Sequence, residues 1–186
     1  MVHTSSDELL DVVDDSDHVV DTLTRGEVHR RQLTHRSVHI LVFSSAGALL
    51  LQKRSKLKDE CGGMWDTSCA GHVESGQGYD ETVPRELEEE LGFSLEEPVT
   101  PLFKMQPTDD NGREFAMVYQ TVRDGPFVVA PDEIDEVKWF EPAYLDSWVA
   151  EQSQIDSGQH DDRTLTSGFC EIWQRYRQQA HSASAN

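Results

Sequence analysis

Apolar positions along the 186-residue chain repeat with two periods, one near two residues and one near 3.6. Alternating or β-branched runs predict strands over Glu8–Val13, His18–Thr22, Ser37–Phe43, Ala48–Gln52, Asp66–Ala70, Val99–Met105 and Glu114–Val122, with shorter ones over Phe127–Val129 and Val137–Phe140. The first pair flanks Asp14-Asp15-Ser16-Asp17 and the second flanks Ser44-Ser45-Ala46-Gly47, so each reads as a hairpin. Asp109-Asp110-Asn111-Gly112 marks a further turn. Helical spacing appears in four places. Thr24 and Glu27 stand at capping-box distance before a short helix from Arg25 to about Leu33. Val83, Leu87 and Leu91 form an apolar stripe, and Pro142 opens a helix through Glu151 that carries Tyr144, Leu145 and Trp148. Phe169, Ile172, Trp173 and Tyr176 repeat along a terminal helix over Leu165–Gln178, as core packing or as the face of a homodimer. Gln152–Asp162 is a polar connection, and the tail HSASAN is expected to fray. The whole reads as one domain over 1–186: an N-terminal extension at 1–35, a core at 36–150, and a C-terminal helix and tail at 151–186.

Beside the stripe of Val83, Leu87 and Leu91 runs a second one. Glu86, Glu89 and Glu90 fall within a helical sector of about 100°. Three like charges this close repel one another, so the face is either a solvated acidic surface or the seat of a cation. A hard divalent ion that takes oxygen ligands would offset the repulsion. Gly71 opens a turn before this helix, Gly76 and Gly78 continue a glycine-rich loop, and Gly92 stands where a left-handed cap would end it.

The stretch Gly71–Phe93 resembles the Nudix box of the Nudix hydrolase superfamily, G-x5-E-x7-R-E-U-x-E-E-x-G-U, where U is bulky and apolar. Gly71, Arg85, Glu86, Leu87, Glu89, Glu90, Gly92 and Phe93 match at the family spacing, and Gln77 stands where the family has its first Glu. The resemblance implies an α/β/α sandwich with a mixed sheet, here with an N-terminal β-hairpin plus helix and a C-terminal helix added. It also implies a metal-dependent pyrophosphohydrolase that cleaves a nucleoside diphosphate linked to another moiety, by attack of water on phosphorus. Mg²⁺, with Mn²⁺ as the alternative, would be held by Glu86, Glu89 and Glu90, which are the catalytic candidates, Glu86 being a further ligand and a candidate general base. The family commonly adds the backbone carbonyl before the box glycine, which is Ala70 here, and a carboxylate from a late loop. Glu133 fits that loop, unless it is an ordinary surface acid. Arg85 is expected to hold the loop by ion pairing. Gln77 either pairs with Arg85 as a structural residue or leaves the metal site one carboxylate short.

Charge sharpens this picture. A net charge of −19, from 35 acids against 16 Lys and Arg, argues against nucleic acid and anionic membranes as partners. A small-molecule diphosphate would then need metal and a local cluster of positive charge. Four of the 16 basic residues lie within Gln52–Lys58, so Arg54 and Lys53 are the expected phosphate contacts, unless the cluster is a solvated strand end. Cys61, Cys69 and Cys170 have no C-x-x-C spacing, which suits a reducing cytoplasm. No leader pattern is seen and no apolar run approaches 18 residues, so neither secretion nor a membrane span is expected.

Two other functions stand beside the hydrolase. His35-Arg-Ser-Val-His39 and Trp65-Asp-Thr-Ser-Cys-Ala-Gly-His72 are similar to segments of isopentenyl diphosphate isomerase, a relative with the same fold. In that enzyme the catalytic cysteine lies two residues before the second motif's histidine, where this chain has Ala70. Cys69 comes one residue too early, and a one-residue offset in a strand turns a side chain to the opposite face. Of the isomerase's metal-binding positions, His35 and His72 have counterparts, His29 is offset and Glu114 is a loose match. Each is read as an ordinary buried or surface residue. The third function, a nucleotide-binding regulatory domain, rests on Gln77.

Overall fold

The computed structural model describes residues 5–58, 60–152 and 163–184. Residues 153–162 of the expected connection and 185–186 of the tail lie outside them. Strands β1 (Leu9–Val13) and β2 (Val19–Thr24) form the expected antiparallel hairpin. Thr24 then caps α1 (Arg25–Arg30), its Oγ1 accepting from the Glu27 N–H at 3.4 Å. The helix stops before Leu33 because the Arg31 and Gln32 N–H groups close onto the Glu27 and His29 carbonyls and Gln32 turns left-handed at φ 52°. Leu10, Val12 and Val28 give this extension a small core of its own.

Seven strands make the main sheet: β3 (His35–Phe43), β4 (Leu49–Arg54), β5 (Trp65–Asp66), β6 (Cys69–His72), β7 (Thr100–Met105), β8 (Glu114–Val122) and β9 (Ile134–Phe140). β3 runs parallel to β8 and antiparallel to β6, while β4 pairs antiparallel with β5 and β9, so the sheet is mixed. β3 and β4 pair at Phe43 and Leu49 beside their turn. Beyond it, the strand expected over Asp66–Ala70 divides: β5 stays on β4 and β6 crosses to β3. Ser68 sits in the fork, its Oγ accepting from the Val42 N–H at 2.8 Å and donating to the Leu50 carbonyl. Those two bonds satisfy backbone groups that a β3–β4 ladder would otherwise have paired.

The two-residue alternation of the strands sorts the core. Val38, Ile40 and Val42 of β3 face α2 (Tyr79–Leu91), which buries Val83, Leu87 and Leu91 against them. Each of those buried helix side chains stabilises the fold by about 1.5–3 kcal/mol. On the opposite face Leu41 and Phe43 meet Leu145 and Trp148 of α3 (Pro142–Gln152) and Phe169, Ile172 and Trp173 of α4 (Ser167–Ser184). The result is the three-layer α/β/α arrangement. The aromatic stripe of α4 is core packing within its own chain, and the helix continues past Gln178 to Ser184. Phe127–Val129 is not a strand. It docks on the end of α2, where the Val128 and Ala130 N–H groups bond the Leu91 and Glu90 carbonyls at 3.0 and 3.1 Å. Those carbonyls lack intrahelical partners, and the segment takes the place of solvent there. Among the described residues no helix is long and apolar enough to cross a membrane.

Candidate functional site

From the fork, β6 leads into the motif loop, which lies against β1 through a bridge between Leu10 and Glu74. α2 is capped at its start by Gly78, whose N–H donates to Glu81 Oε2 at 2.9 Å, and at its end by Gly92 with φ 69°, the left-handed cap the sequence predicts. Val83, Leu87 and Leu91 anchor one side of this helix, and that anchoring presses its acidic side toward β6. The three glutamates, expected on one surface, are divided by it. Glu86 and Glu90, one turn apart, are 7 % and 6 % exposed, whereas Glu89 stands at the rim with 60 % of its side chain exposed. Glu90 Oε2 accepts from the Ala70 N–H at 3.2 Å and from Gln52 Nε2 at 3.1 Å. Glu86 fills the space in front of Gly71, where an added Cβ would lie 2.0 Å from the Glu86 carboxyl carbon.

Burial, and then the charge of Glu90, push the Glu86 carboxyl up to about 8. Burial also pushes Glu90 up to about 7, although the Cys69 thiol and the Ala70 N–H both favour its charged form. Two buried carboxylates that resist ionisation beside one another are a pair that a cation would relieve. The donors are oxygens, which suits a hard divalent ion such as Mg²⁺.

Arg85 stands among three carboxylates. Its Nη1 lies 2.8 Å from Glu86, 3.1 Å from Glu89 and 3.5 Å from Glu74, and its Nη2 donates to the His72 carbonyl at 2.9 Å. Gln77 takes no part in this: its Nε2 reaches Glu74 at 3.5 Å, and its Oε1 accepts from Thr82 at 3.4 Å. The carboxylate that approaches Arg85 from the loop is Glu74, three residues earlier.

Lys53 and Arg54, expected together, stand on opposite faces of β4, because neighbouring strand residues alternate. Lys53 Nζ lies 5.8 Å from the Trp65 ring centroid on the α3–α4 side, and Trp65 is a core residue. Arg54 turns to the site, 3.6 Å from Asp66. Lys58 of the same basic cluster also faces the site, paired with Glu133. Both belong to the lining of a cleft of about 1340 Å³ that runs over Glu86 and Glu90. Glu8 and Arg25 of the extension, Asn111 of the β7–β8 loop and Ser167 of α4 close its sides.

A second cluster gathers four residues whose side chains together could hold a metal ion. His29, His35, His72 and Glu114 converge, each offering a ligand atom within 4.8 Å of the others. His29 Nε2 is 3.3 Å from His72 Nε2, and both His72 Nε2 and His35 Nε2 are 3.4 Å from Glu114 Oε1. His35 Nε2 is buried without a hydrogen bond, and burial holds His72 down to about 4, so its imidazole is neutral. Burial would lower His35 too, but the Glu114 carboxylate beside it holds it above its ordinary value, and the two histidines hold Glu114 well below its own despite burial. Three imidazoles and one carboxylate are a donor set suited to Zn²⁺ or Mn²⁺. Strand register assembles the group. His35 lies opposite Glu114 on the parallel β8, and Ser37 lies opposite His72 on β6. Residues far apart in sequence meet there, and His29 arrives from α1, so spacing alone could not reveal the cluster. The signal was the pair of histidine-bearing segments, and the misleading part was the offset of His29.

Cys69 is wholly buried in the α2-facing core beside Glu90, whereas Ala70 lines the cleft. The strand thus turns the two residues to opposite sides, as expected.

The model of the NUDIX domain family matches residues 33–159 of this chain. A Yersinia pestis protein described as an uncharacterized Nudix hydrolase is 34 % identical over 135 residues, covering 73 % of this chain and 74 % of the relative. An isopentenyl-diphosphate Delta-isomerase of Serratia proteamaculans is 36 % identical over 136 residues, covering 72 % of this chain and 76 % of its own. The crystal structure of DR0079 from Deinococcus radiodurans superposes with a TM-score of 0.76 at 27 % identity, over 90 % of this chain and 98 % of that one.

Proposed function

The chain belongs to the Nudix family, and on that premise we propose that it is a metal-dependent pyrophosphohydrolase, cleaving a nucleoside diphosphate linked to another moiety. One observation carries the reading: Glu86 and Glu90, buried and disfavouring their own ionisation, face the cleft beside Gly71. Mg²⁺ or Mn²⁺ would be held by Glu86, Glu89 and Glu90, with the Ala70 carbonyl and Glu133 as further oxygens. When bound, such an ion neutralises charge on phosphate oxygens and acidifies water. The chain's own part is positioning. The Ala70 N–H and Gln52 orient Glu90, and Arg85 orients Glu86 and Glu89. Glu86, whose carboxyl gains a proton near neutrality more readily than an exposed one, is suited to accept the proton of the attacking water. Arg54 and Lys58 would meet phosphate, each exchanging its present carboxylate partner for it. Lys53, expected in that role, stands on the other face. A cytoplasmic setting suits the unpaired cysteines.

A second reading, an isopentenyl diphosphate isomerase-like enzyme, is favoured by the histidine cluster and by the Serratia relative. Ala70 in the cleft, where that enzyme has a cysteine, weighs against it. Purified protein would be incubated with Mg²⁺ and a panel of nucleoside triphosphates, nucleotide sugars, dinucleoside polyphosphates and isopentenyl diphosphate, beside Glu89→Gln and Glu90→Gln. Hydrolysis of a diphosphate bond that collapses in both variants supports the hydrolase. Isomerised isopentenyl diphosphate would replace it with the second reading, and nucleotide binding without turnover would point to regulation.

A further inference from the structure

We propose that Asp11, on the N-terminal hairpin, positions the motif loop in the role that a carboxylate at residue 77 would otherwise fill; this rests on the hydrolase reading above. Gln77 is an amide, does not approach Arg85 and is not among the cleft-lining residues. The loop is held from the other side, by the extension. Asp11 is 9 % exposed, and both its oxygens are engaged. Oδ1 accepts from Ser75 Oγ at 2.6 Å and from Thr22 Oγ1 at 2.9 Å, and Oδ2 accepts from the Gly76 N–H at 3.1 Å. The backbone adds an antiparallel bridge between Leu10 and Glu74, and the Ser75 N–H donates to the Leu9 carbonyl at 2.8 Å. The motif loop is in effect a short third strand on the β1–β2 hairpin.

From there the restraint passes inward. With Ser75 and Gly76 tied to Asp11, Glu74 is held 3.5 Å from Arg85 Nη1, and Arg85 in turn lies 2.8 Å from Glu86 and 3.1 Å from Glu89. Asp11 does not line the cleft, so it acts on the metal-binding carboxylates through Glu74 and Arg85. Partners bonded directly to a ligand are commonly worth about 10–100-fold in metal affinity, and Asp11, acting through two further residues, is expected at the lower end of that range.

The test needs no substrate. Asp11→Asn keeps the shape of the side chain but presents an amide N–H₂ to one of its donors. With Zn²⁺ first bound at the histidine cluster, Mn²⁺ affinity would be measured by calorimetry, and amide exchange over residues 73–78 by mass spectrometry, in wild type, D11N, and D11N combined with Gln77→Glu. Circular dichroism and melting would verify the fold. D11N is expected to bind Mn²⁺ about tenfold more weakly, with faster exchange at Ser75 and Gly76, and the carboxylate introduced by Gln77→Glu is expected to restore much of both. Gln77→Glu alone is the control, and rescue counts only where the new carboxylate raises Mn²⁺ affinity more in D11N than in the chain with Asp11 intact. Unchanged Mn²⁺ affinity in D11N, or no recovery in the double variant, overturns the proposal. Should D11N not fold, Ser75→Ala removes the 2.6 Å bond from the loop side and is judged by the same two readouts. A chain that cleaves nothing in the substrate panel would sink the hydrolase reading, while these measurements would still decide the place of Asp11.

Discussion

Gly71 and Glu86 share one space: a Cβ on Gly71 would stand 2.0 Å from the Glu86 carboxyl carbon and within 2.2 Å of both its oxygens. A β-strand and a helix meet there with a buried carboxylate between them. Gly71→Ala is therefore expected to expel Glu86 from its seat, at a stability cost below the roughly 1–3 kcal/mol of an overpacked core, because the displaced atoms are the free end of a flexible side chain. Turnover should drop by about 10²-fold, as for other misplacements of a reacting group. Adding Glu86→Ala to Gly71→Ala should return the stability and leave the activity lost. Denaturant titration of the four members of this cycle checks the coupling, and additive losses would contradict it.

The same burial makes Glu86 costly when no cation is present. Its carboxyl is raised from 4.5 to about 8 in the fold, so folding takes up a proton between those values and stability falls as pH rises through them. In EDTA, Glu86→Gln should stabilise the protein at pH 8 by about 1–3 kcal/mol and be neutral below pH 4.5, where both folded and unfolded carboxyls are protonated. With saturating Mg²⁺ the order should reverse. Melting curves at several pH values, with and without Mg²⁺, decide this.

Asp17 predicts the opposite sign. Its carboxylate, at the tip of the hairpin, accepts from Arg36, Tyr79 and Lys104, and despite burial these partners hold it below its ordinary value of 3.8. Stability from this group is present above 3.8 and is lost as pH falls through the depressed value. Asp17→Asn should cost about 2 kcal/mol at pH 7, as other broken charge-assisted networks do, and progressively less in acid below the wild-type transition. A difference between the two proteins that stays constant down to about pH 2 would refute the assignment.

If the cluster of His29, His35, His72 and Glu114 takes a metal, stripping it should loosen the extension, because His29 lies on α1 while the other three lie on the main sheet. Chelation should lower the melting temperature and speed proteolysis within residues 1–35, and Zn²⁺ or Mn²⁺ should reverse both. His35→Gln should weaken Zn²⁺ binding by at least about tenfold, measured by calorimetry, with Glu89 and Glu90 intact. Equal Zn²⁺ affinity in wild type and variant would exclude the cluster as a site.

Much of this protein was legible along its chain. The helix of Val83, Leu87 and Leu91, its left-handed end at Gly92, and the carboxylates of Glu86, Glu89 and Glu90 depend on spacing within one turn or two, and local geometry is enough to read them. Both hairpins and the aromatic core stripe of α4 came from the same kind of pattern. What the pattern missed was long-range. Lys53 and Arg54 are neighbours in sequence but face opposite layers, a choice made by which side of β4 met α2. Phe127–Val129 has strand composition but found the unpaired carbonyls of a helix end before any strand edge.

The motif, its helix and the types of side chain that can hold a cation were written into the chain before any folding, because they follow from residues a few positions apart. Three outcomes waited for the fold: which carboxylates are buried, that Glu74 approaches Arg85 while Asp11 holds Gly76, and that four residues from α1, β3, β6 and β8 form one histidine-rich cluster. Those outcomes depend on strand register and on burial, which change solvation and distance together, and neither quantity exists until the chain has folded.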